Sequence, residues 1–321
     1  SSESSGIGLH SSTSMGCVAA DVDDDGDTDI VMVNDVDRNF FFENDGTGRF
    51  TETGIQRGIA FSRDGKRNGN MGIDCADVDG DGLFDLFTTT FSNELPVLYK
   101  NLGDGYFSDE TIEQHAGVQL LPHANWGVCF LDIDNDRDPD LFIANGHTDP
   151  NVNRWAYTTD WKVANTLMLN DGTGRFQDIS NESGSGLLPV ESSRGVAAED
   201  FDLDGDMDLI VLNALARPTL MRNDSAPMGG WLQLDLRGRT TSRDGTGARV
   251  TLTIGGARIS KEVHSGRGYQ SSFGQRLHFG LGDVLSINEV EVSWPDGSKQ
   301  LLSDVDANQS LTIVQPPMAS R

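Results

Sequence analysis

The stretch "DVDDDGDTDIVMVND", residues 21–35, places six carboxylates in nine residues directly before an apolar strand. Three related stretches follow: "DVDGDGLFDLFTTT" from Asp77, "DIDNDRDPDLFIAN" from Asp132 and "DFDLDGDMDLIVLN" from Asp200. Like charges packed this closely repel one another unless something neutralises them. Because the pattern recurs four times, it predicts four equivalent loops that each gather a cation.

The acidic loops belong to a repeat of roughly 55 to 70 residues, and repetition at such a spacing indicates a repeat architecture. Each unit has a glycine five residues before the loop, an apolar strand, the acidic loop, a second strand and, in the first three units, a hairpin such as "FFENDGTGRFTE". Four short strands per unit predict the blades of a β-propeller. The sequence therefore predicts an all-β fold.

The two ends of the repeat region do not match. The fourth unit stops after its third strand at "TLMRNDSAP", whereas the opening "ESSGIGL" resembles the segment that follows a fourth strand in other units. We therefore expect part of a seven- or eight-bladed propeller with an unpaired edge beside the first blade. Unpaired edges recruit other strands, so we expect copies of the chain to form an oligomer through that edge.

The pattern changes near Gly229. Strands such as "WLQLDL", "ARVTLTI" and "EVEVSW" then follow one another between Gly and Asp turns, without acidic loops. This predicts a second β domain, a sandwich or a barrel. The expected division is a propeller part over residues 1–228 and a C-terminal domain over residues 229–321.

Each acidic loop offers carboxylates at positions 1, 3, 5 and 9 and a residue at position 7 whose backbone carbonyl faces inward. A glycine at position 6 permits a positive φ. Ligands that are all oxygen favour Ca²⁺ over Zn²⁺, and many protein ligands favour it over Mg²⁺. An EF-hand needs a longer loop ending in Glu, and the alternative is a solvated acidic turn. The predicted metal ligands are Asp21, Asp23, Asp25, Asp27, Asp29, Asp77, Asp79, Asp81, Asp85, Asp132, Asp134, Asp136, Asp140, Asp200, Asp202, Asp204, Asp206 and Asp208.

The third loop departs from this pattern because Arg137 stands at position 6. A residue other than glycine at positive φ costs roughly 1–2 kcal/mol, so we expect this site to bind calcium about tenfold more weakly. The cation of Arg137 stands near the metal site, although a long side chain can swing out to solvent. Calcium should stabilise the propeller part, and the C-terminal domain should respond far less.

The chain of 321 residues carries a formal net charge of −26. This charge repels nucleic acid and anionic membranes, and no apolar run is long enough to span a bilayer, so neither is an expected partner. Three cysteines, Cys17, Cys75 and Cys129, each lie in a strand before an acidic loop and are predicted to be buried free thiols.

The loops and their "NDGTGRF" hairpins resemble FG-GAP/VCBS repeats, the calcium-binding propeller blades also found in integrin α chains. The tail, with "GTGARVTLTIGG", "SGRGYQSS" and "WPDGSKQ", is similar to the ASPIC/UnbV domain of cartilage-acidic-protein-like chains. The resemblance implies a secreted, periplasmic or cell-surface protein. It further implies a role in adhesion or recognition, with a protein or glycan as ligand and no established chemistry.

An insert in the third unit, "GHTDPNVNRWAYTTDWKVAN", holds four candidate ligand contacts: His147, Trp155, Tyr157 and Trp161. Aromatic side chains stack on sugars or on a partner, but they also pack an insert against its own blade, which is the interpretation we favour. His264 and His278 are predicted to be structural. No HExxH, GxSxG or P-loop motif is present, so no enzyme is predicted. The alternatives are a carbohydrate-active enzyme resembling polysaccharide lyases and a purely structural surface protein.

Overall fold

The computed structural model describes residues 2–225, 229–264 and 266–317, and β-strands make up most of their regular structure. This confirms the predicted all-β fold. The helices are single turns: α1 (Ser2–Ser5), α2 (Gly54–Arg57) and four 3₁₀ turns at Ile7–Leu9, Val118–Leu120, Val152–Arg154 and Ser185–Leu187. Within the described ranges, no helix has the length and apolar character that a membrane crossing requires.

The four repeat units fold as four separate antiparallel sheets, which are the predicted propeller blades. The first three sheets have four strands and the fourth has three, as the sequence predicts. Blade 1 contains β1 (Ser14–Ala20), β2 (Asp29–Asn34), β3 (Phe40–Asn44) and β4 (Phe50–Glu52). Blade 2 contains β5 (Ile73–Ala76), β6 (Asp85–Thr88), β7 (Val97–Asn101) and β8 (Phe107–Asp109). Blade 3 contains β9 (Asn125–Leu131), β10 (Asp140–Asn145), β12 (Thr166–Asn170) and β13 (Phe176–Asp178). Blade 4 contains β15 (Ser193–Glu199), β16 (Asp208–Asn213) and β17 (Thr219–Met221). Two short strands, β11 (Val163–Ala164) and β14 (Val190–Glu191), pair with each other beside blade 3.

Neighbouring blades share apolar cores, because alternate residues along each strand point to the same face. Val31 and Val33 of β2 pack with Ile73 and Leu86 of blade 2, and equivalent cores join blade 2 to blade 3 and blade 3 to blade 4. A single blade cannot cover both of its faces, so the blades stabilise one another in series.

The glycine before each acidic loop marks a close approach between inner strands. An added Cβ would lie 2.6 Å, 2.3 Å and 2.5 Å from the carbonyl oxygens of Met71, Trp126 and Arg194 at Gly16, Gly72 and Gly127, respectively. Such contacts exclude any side chain, so these positions need glycine. The fourth, Gly195, instead faces Tyr269 and Ser271 of the C-terminal part.

The C-terminal strands form two sheets around one apolar core, as expected of a sandwich. One sheet has the order β21-β18-β24, with β18 and β24 parallel, and the other has the order β20-β19-β22-β23. The strands are β18 (Gly230–Arg237), β19 (Arg249–Ile254), β20 (Ala257–Glu262), β21 (Arg276–Gly282), β22 (Ser286–Ser293), β23 (Lys299–Asp306) and β24 (Gln309–Val314). The division at residue 228 stays a proposal, and residues 226–228 lie outside the described ranges.

A loop of the sandwich, residues 266–274, reaches into the propeller part. Gly268 exchanges two backbone hydrogen bonds with Ile73 of the inner strand β5, at 2.6 Å and 3.2 Å. Arg267 donates to both oxygens of the buried Asp74 carboxylate, at 2.9 Å and 2.7 Å. Tyr269 packs edge-on against Trp126. Removing one member of such a buried ion pair costs about 3–5 kcal/mol, so this loop fixes the sandwich to the blades.

The cysteine prediction is right for two residues and wrong for the third. Cys75 and Cys129 are buried free thiols, whereas Cys17 is exposed. The alternation of β1 turns Val18 and Ala20 toward blade 2 and leaves Cys17 on the opposite face. Both histidines of the sandwich are buried: His264 Nε2 lies 3.6 Å from Cys75 Sγ, and His278 Nε2 lies 2.7 Å from Asn135 Oδ1.

Candidate metal sites

The four acidic loops connect the first and second strands of their blades and share one backbone conformation. Position 6 has a positive φ in every loop: 97° at Gly26, 92° at Gly82, 97° at Arg137 and 100° at Gly205. Position 4 does so as well: 62° at Asp24, 72° at Gly80, 59° at Asn135 and 64° at Leu203. The first feature agrees with the sequence pattern. The second was not predicted, because Leu203 is a residue type that rarely adopts this conformation.

Backbone N–H groups hold the carboxylates at positions 1 and 5 of each loop in place. The position-1 aspartate accepts the position-6 N–H in every loop, at 3.2, 2.9, 2.9 and 3.0 Å in chain order. The position-5 aspartate accepts the position-7 N–H, at 3.1, 2.9, 3.0 and 3.0 Å. These bonds account for the alternation of Asp along the loop, since each short side chain bonds to the turn that carries it.

The aspartate at position 9 is buried in every blade, and its carboxylate holds the loop by hydrogen bonds. An asparagine at the end of the third strand, or two residues beyond it in blade 4, donates its backbone N–H to this carboxylate. The acceptors are Asp29, Asp85, Asp140 and Asp208, at 2.9, 2.7, 2.9 and 2.7 Å. In the last three of these loops, the other oxygen accepts the N–H of position 2. The position-9 aspartate therefore has a structural task beside any role as a metal ligand.

These asparagines also join blades 2, 3 and 4 to the blade before them. This link was not predicted from the sequence. The side-chain amides of Asn101, Asn170 and Asn223 donate to the position-2 carbonyls of the preceding loops, at 2.8, 2.7 and 2.7 Å. The signal was present, because an asparagine recurs in "ENDG", "KNLG", "LNDG" and "RNDS". The acidic loops are thus linked in a chain from one blade to the next.

Each loop gathers three aspartates whose ligand oxygens lie within 4.8 Å of one another. In the first, second and fourth loops these are positions 1, 3 and 9, and in the third they are positions 1, 3 and 5. The clusters are Asp21, Asp23 and Asp29; Asp77, Asp79 and Asp85; Asp132, Asp134 and Asp136; and Asp200, Asp202 and Asp208. The other predicted ligands, Asp25, Asp27, Asp81, Asp140, Asp204 and Asp206, lie in the same loops outside these sets of three.

Several carboxylate oxygens of these loops are buried without a hydrogen-bond partner. They are Asp21 Oδ1, Asp23 Oδ1, Asp27 Oδ1, Asp29 Oδ2, Asp77 Oδ1 and Asp134 Oδ1. A buried carboxylate oxygen without a donor is costly, so each calls for a cation or a proton. A set of converging, unpartnered oxygens suits a hard divalent cation, and the residues therefore fit calcium.

Burial and mutual repulsion raise the pKa values of these carboxyl groups. Burial is the main cause, and it raises the pKa of Asp21 to about 6, that of Asp29 to about 8 and that of Asp132 to about 7. Neighbouring aspartates add to the increase, whereas backbone N–H donors oppose it. A metal ion would reverse this balance because it favours the ionised carboxylate.

The second loop carries its own cation. Lys100 Nζ lies 2.7 Å from Asp79, 2.7 Å from Asp81 and 3.3 Å from Asp85. Burial lowers the pKa of Lys100, but these carboxylates outweigh it and raise the pKa above its ordinary value. The corresponding residues before the asparagine are Glu43, Leu169 and Arg222 in the other blades. The four loops therefore differ in charge at one equivalent position.

Arg137 of the third loop does not swing out to solvent. Its Nε and Nη2 atoms both donate to the carbonyl oxygen of Leu281 in β21, at 3.1 Å and 2.9 Å. The side chain is long enough to reach solvent, but β21 of the sandwich offers an acceptor beside this loop and holds it there. The same side chain that strains the loop also binds the C-terminal domain.

The aromatic insert divides into a buried and an exposed part. His147 is 2% exposed and packs against Phe91 and Trp155, and its Nε2 atom has no partner. Trp161 is half-buried, whereas Trp155 and Tyr157 are 60% and 96% exposed. Packing against the blade therefore accounts for His147 and not for Tyr157.

Comparison with known proteins agrees with this architecture. The FG-GAP-like repeat model matches residues 21–88, 77–143 and 145–211, and the ASPIC and UnbV model matches residues 238–320. Cartilage acidic protein 1 from Mus musculus is 27% identical over 300 residues, which cover 90% of this chain and 43% of that protein. The Homo sapiens protein is 26% identical over 299 residues, with 90% and 42% covered. The chain thus spans less than half the length of these relatives.

Solved structures show only distant likeness. A lectin from Agrocybe aegerita that recognises non-reducing terminal N-acetylglucosamine aligns with a TM-score of 0.35 and 18% identity, over 65% of this chain and 53% of the lectin. The biofilm matrix protein Bap1 of V. cholerae aligns with a TM-score of 0.31 and 13% identity, over 90% of this chain and 48% of that protein. Because the repeat model matches more than half of the sequence, and the ASPIC and UnbV model matches residues 238–320 beside it, the chain belongs to the FG-GAP-like repeat family.

Proposed function

We propose that this protein binds calcium in the acidic loops, one ion per blade, and that it acts outside the cell or in the cell envelope in adhesion or recognition. The observation that carries the calcium assignment is the convergence of three aspartate oxygens within 4.8 Å in each of four loops. Calcium takes six to eight oxygen ligands, and carboxylates, backbone carbonyls and water can supply them in such a loop.

A bound ion would supply positive charge where the loops place unpartnered oxygens. The residues of the chain hold the loop in shape for it, through the position-1 and position-5 hydrogen bonds and the buried position-9 carboxylate. At a calcium concentration ten times the dissociation constant, each site adds about 1.4 kcal/mol to the free energy of unfolding. Sites of extracellular modules bind at about 10⁻⁴–10⁻³ M, which cytosolic calcium does not reach.

The calcium assignment is tested by titration and thermal unfolding of the intact chain. We expect up to four ions per chain and a melting temperature that rises with millimolar calcium and falls with chelator. Asp77→Asn should remove or weaken one site, and Asp64→Asn, at an exposed carboxylate outside the loops, is the matched control. A melting temperature indifferent to both calcium and chelator would exclude the assignment.

Recognition of a protein or glycan ligand is proposed from the family and from the exposed aromatics. Trp155 and Tyr157 are exposed on the insert over residues 146–165. An exposed aromatic ring is a suitable stacking surface for a sugar. We propose binding without catalysis, because the sequence carries none of the HExxH, GxSxG or P-loop motifs. Carbohydrate cleavage and a purely structural role are the competing functions.

Glycan arrays and a polysaccharide-degradation screen separate these functions. A recognition protein binds a glycan or surface protein without cleaving it, and Tyr157→Ser weakens that binding. Leu285→Ser is the control, because Leu285 is 71% exposed in the C-terminal sandwich and lies outside the insert. Release of shortened oligosaccharides would replace this proposal with the enzyme, and an absence of any ligand would favour the structural role.

A further inference from the structure

The C-terminal sandwich makes hydrogen bonds to the acidic loops of all four blades. Arg249 of β19 donates to Asp24 in the first loop and to the Gly82 carbonyl in the second, the latter at 2.7 Å. Strands β18 and β21 contact the fourth and third loops. We call the four loops, residues 21–29, 77–85, 132–140 and 200–208, the loop face. One domain thus contacts every candidate calcium loop of the other part.

In the fourth loop, the sandwich contacts a candidate ligand itself. Gln233 Nε2 donates to Asp200 Oδ2 at 2.7 Å, and the two residues are 1% and 2% exposed. Gln233 Oε1 accepts the Ser310 hydroxyl at 2.8 Å, which fixes the direction of the amide. Asp200 also accepts the N–H groups of its own loop. Gln233 therefore orients a metal-ligand carboxylate from another domain.

In the third loop, the link runs through Asn135 at position 4. Its carbonyl accepts the Gly282 N–H at 2.8 Å, and its Oδ1 lies 2.7 Å from His278 Nε2. Its side-chain amide donates to the Gly205 carbonyl and to Asp206 in the fourth loop, at 3.2 Å and 2.9 Å. Asn135 therefore links the third loop, the fourth loop and the sandwich by hydrogen bonds.

In the first loop, Glu262 at the end of β20 accepts the Asp21 N–H at 3.2 Å. Its other oxygen is buried without a partner. The sandwich thus contacts the backbone of the residue at position 1. A change in the shape of this loop would therefore alter the hydrogen bond between Asp21 and Glu262.

We infer that the C-terminal domain supplies, through Gln233, an outer hydrogen bond to the calcium site of the fourth loop, so that docking of this domain and calcium binding there reinforce each other. This inference rests on the proposed calcium function. Partners that orient a metal ligand are typically worth 10- to 100-fold in metal affinity. By thermodynamic linkage, whatever docking adds to calcium affinity, calcium adds to docking. The inference differs from the sequence-based expectation that the C-terminal domain responds little to calcium, and the experiments below decide between the two.

The test uses the intact chain and Gln233→Leu, which removes the donor to Asp200 and keeps most of the volume. In a calcium titration, we expect one site to weaken by about 10- to 100-fold and the other sites to keep their affinity. Gln309→Leu is the matched control, because this amide donates to the Asp306 carbonyl at an exposed edge of the same sheet.

Amide hydrogen exchange of the unmodified chain gives a second measurement that needs no variant. We expect calcium to slow exchange in β18 and β21, which contact the loops. If the chain binds no calcium, the proposed function fails. If it binds calcium while Gln233→Leu retains every affinity, or while exchange in β18 and β21 stays unchanged, the calcium function stands and the inference is overturned.

Discussion

Replacing Lys100 is a direct way to raise the calcium affinity of one of the proposed sites. Its ammonium group lies 2.7, 2.7 and 3.3 Å from three carboxylates of the second loop, Asp79, Asp81 and Asp85. A calcium ion entering this loop competes with that ammonium group for the same oxygens. Replacing Lys100 by Met removes the competitor and retains the apolar stem that packs along the blade.

The magnitude follows from the three ion pairs. Each of the three pairs is worth about 0.2–1 kcal/mol, so displacing Lys100 costs calcium about 0.6–3 kcal/mol. At 1.4 kcal/mol per tenfold, Lys100→Met should tighten the second site between about threefold and about a hundredfold. The metal-free variant should be less stable, because the three carboxylates then repel one another without a counter-charge.

The assay is a calorimetric calcium titration at moderate salt, with thermal unfolding in chelator measured in parallel. Lys66→Met is the control, because it makes the same change of charge at an exposed residue outside the loops. We expect the variant to gain affinity at one site and the control at none. Unchanged or weaker binding in Lys100→Met would show that Lys100 supports the loop in its calcium-bound form and would refute the competition argument.

Three further predictions follow from the same sites. Arg137→Gly should relieve roughly 1–2 kcal/mol of left-handed strain and tighten the third site in a titration, while losing the bonds to Leu281 should lower the melting temperature in calcium-free buffer. Asn170→Ala should lower the free energy of unfolding by about 1–3 kcal/mol in denaturant titrations, because it leaves the Val78 carbonyl without its donor; an Asn181→Ala control should change little. The raised pKa of Asp29, about 8, means that the metal-free fold holds this proton more tightly than the unfolded chain, so chelated protein should lose stability as the pH rises from about 4 through about 8. Over the same range calcium should raise the melting temperature progressively more, and equal calcium effects at pH 5 and pH 8 would contradict this.

The sequence was sufficient to predict the blades and the position-6 conformation because both rest on local signals. Alternating apolar residues such as Val31 and Val33 determine which face of a strand is buried, and Asp–Gly spacing determines the turn. The positive φ of Arg137 follows from its register with three glycines, not from its residue type. Local patterns of this kind can be read without knowing what lies nearby in the fold.

The remaining features depend on contacts between residues far apart in the chain. Nothing near Gln233 indicates that it lies against Asp200, and nothing near Arg267 indicates that it meets Asp74. The exposure of Cys17 likewise depends on what covers one face of a blade. The contact between the loop face and the sandwich therefore depends on the assembled fold and cannot be predicted from single motifs.

The most direct measurement is an anomalous difference map from crystals of this chain grown in millimolar calcium. Four peaks are expected, one in each acidic loop, each within about 2.3–2.6 Å of aspartate oxygens. The fourth should lie beside Asp200 with Gln233 still hydrogen-bonded to that carboxylate. Loops without peaks at saturating calcium, with their buried oxygens bonded instead to water or protonated neighbours, would contradict the calcium assignment and the coupling derived from it.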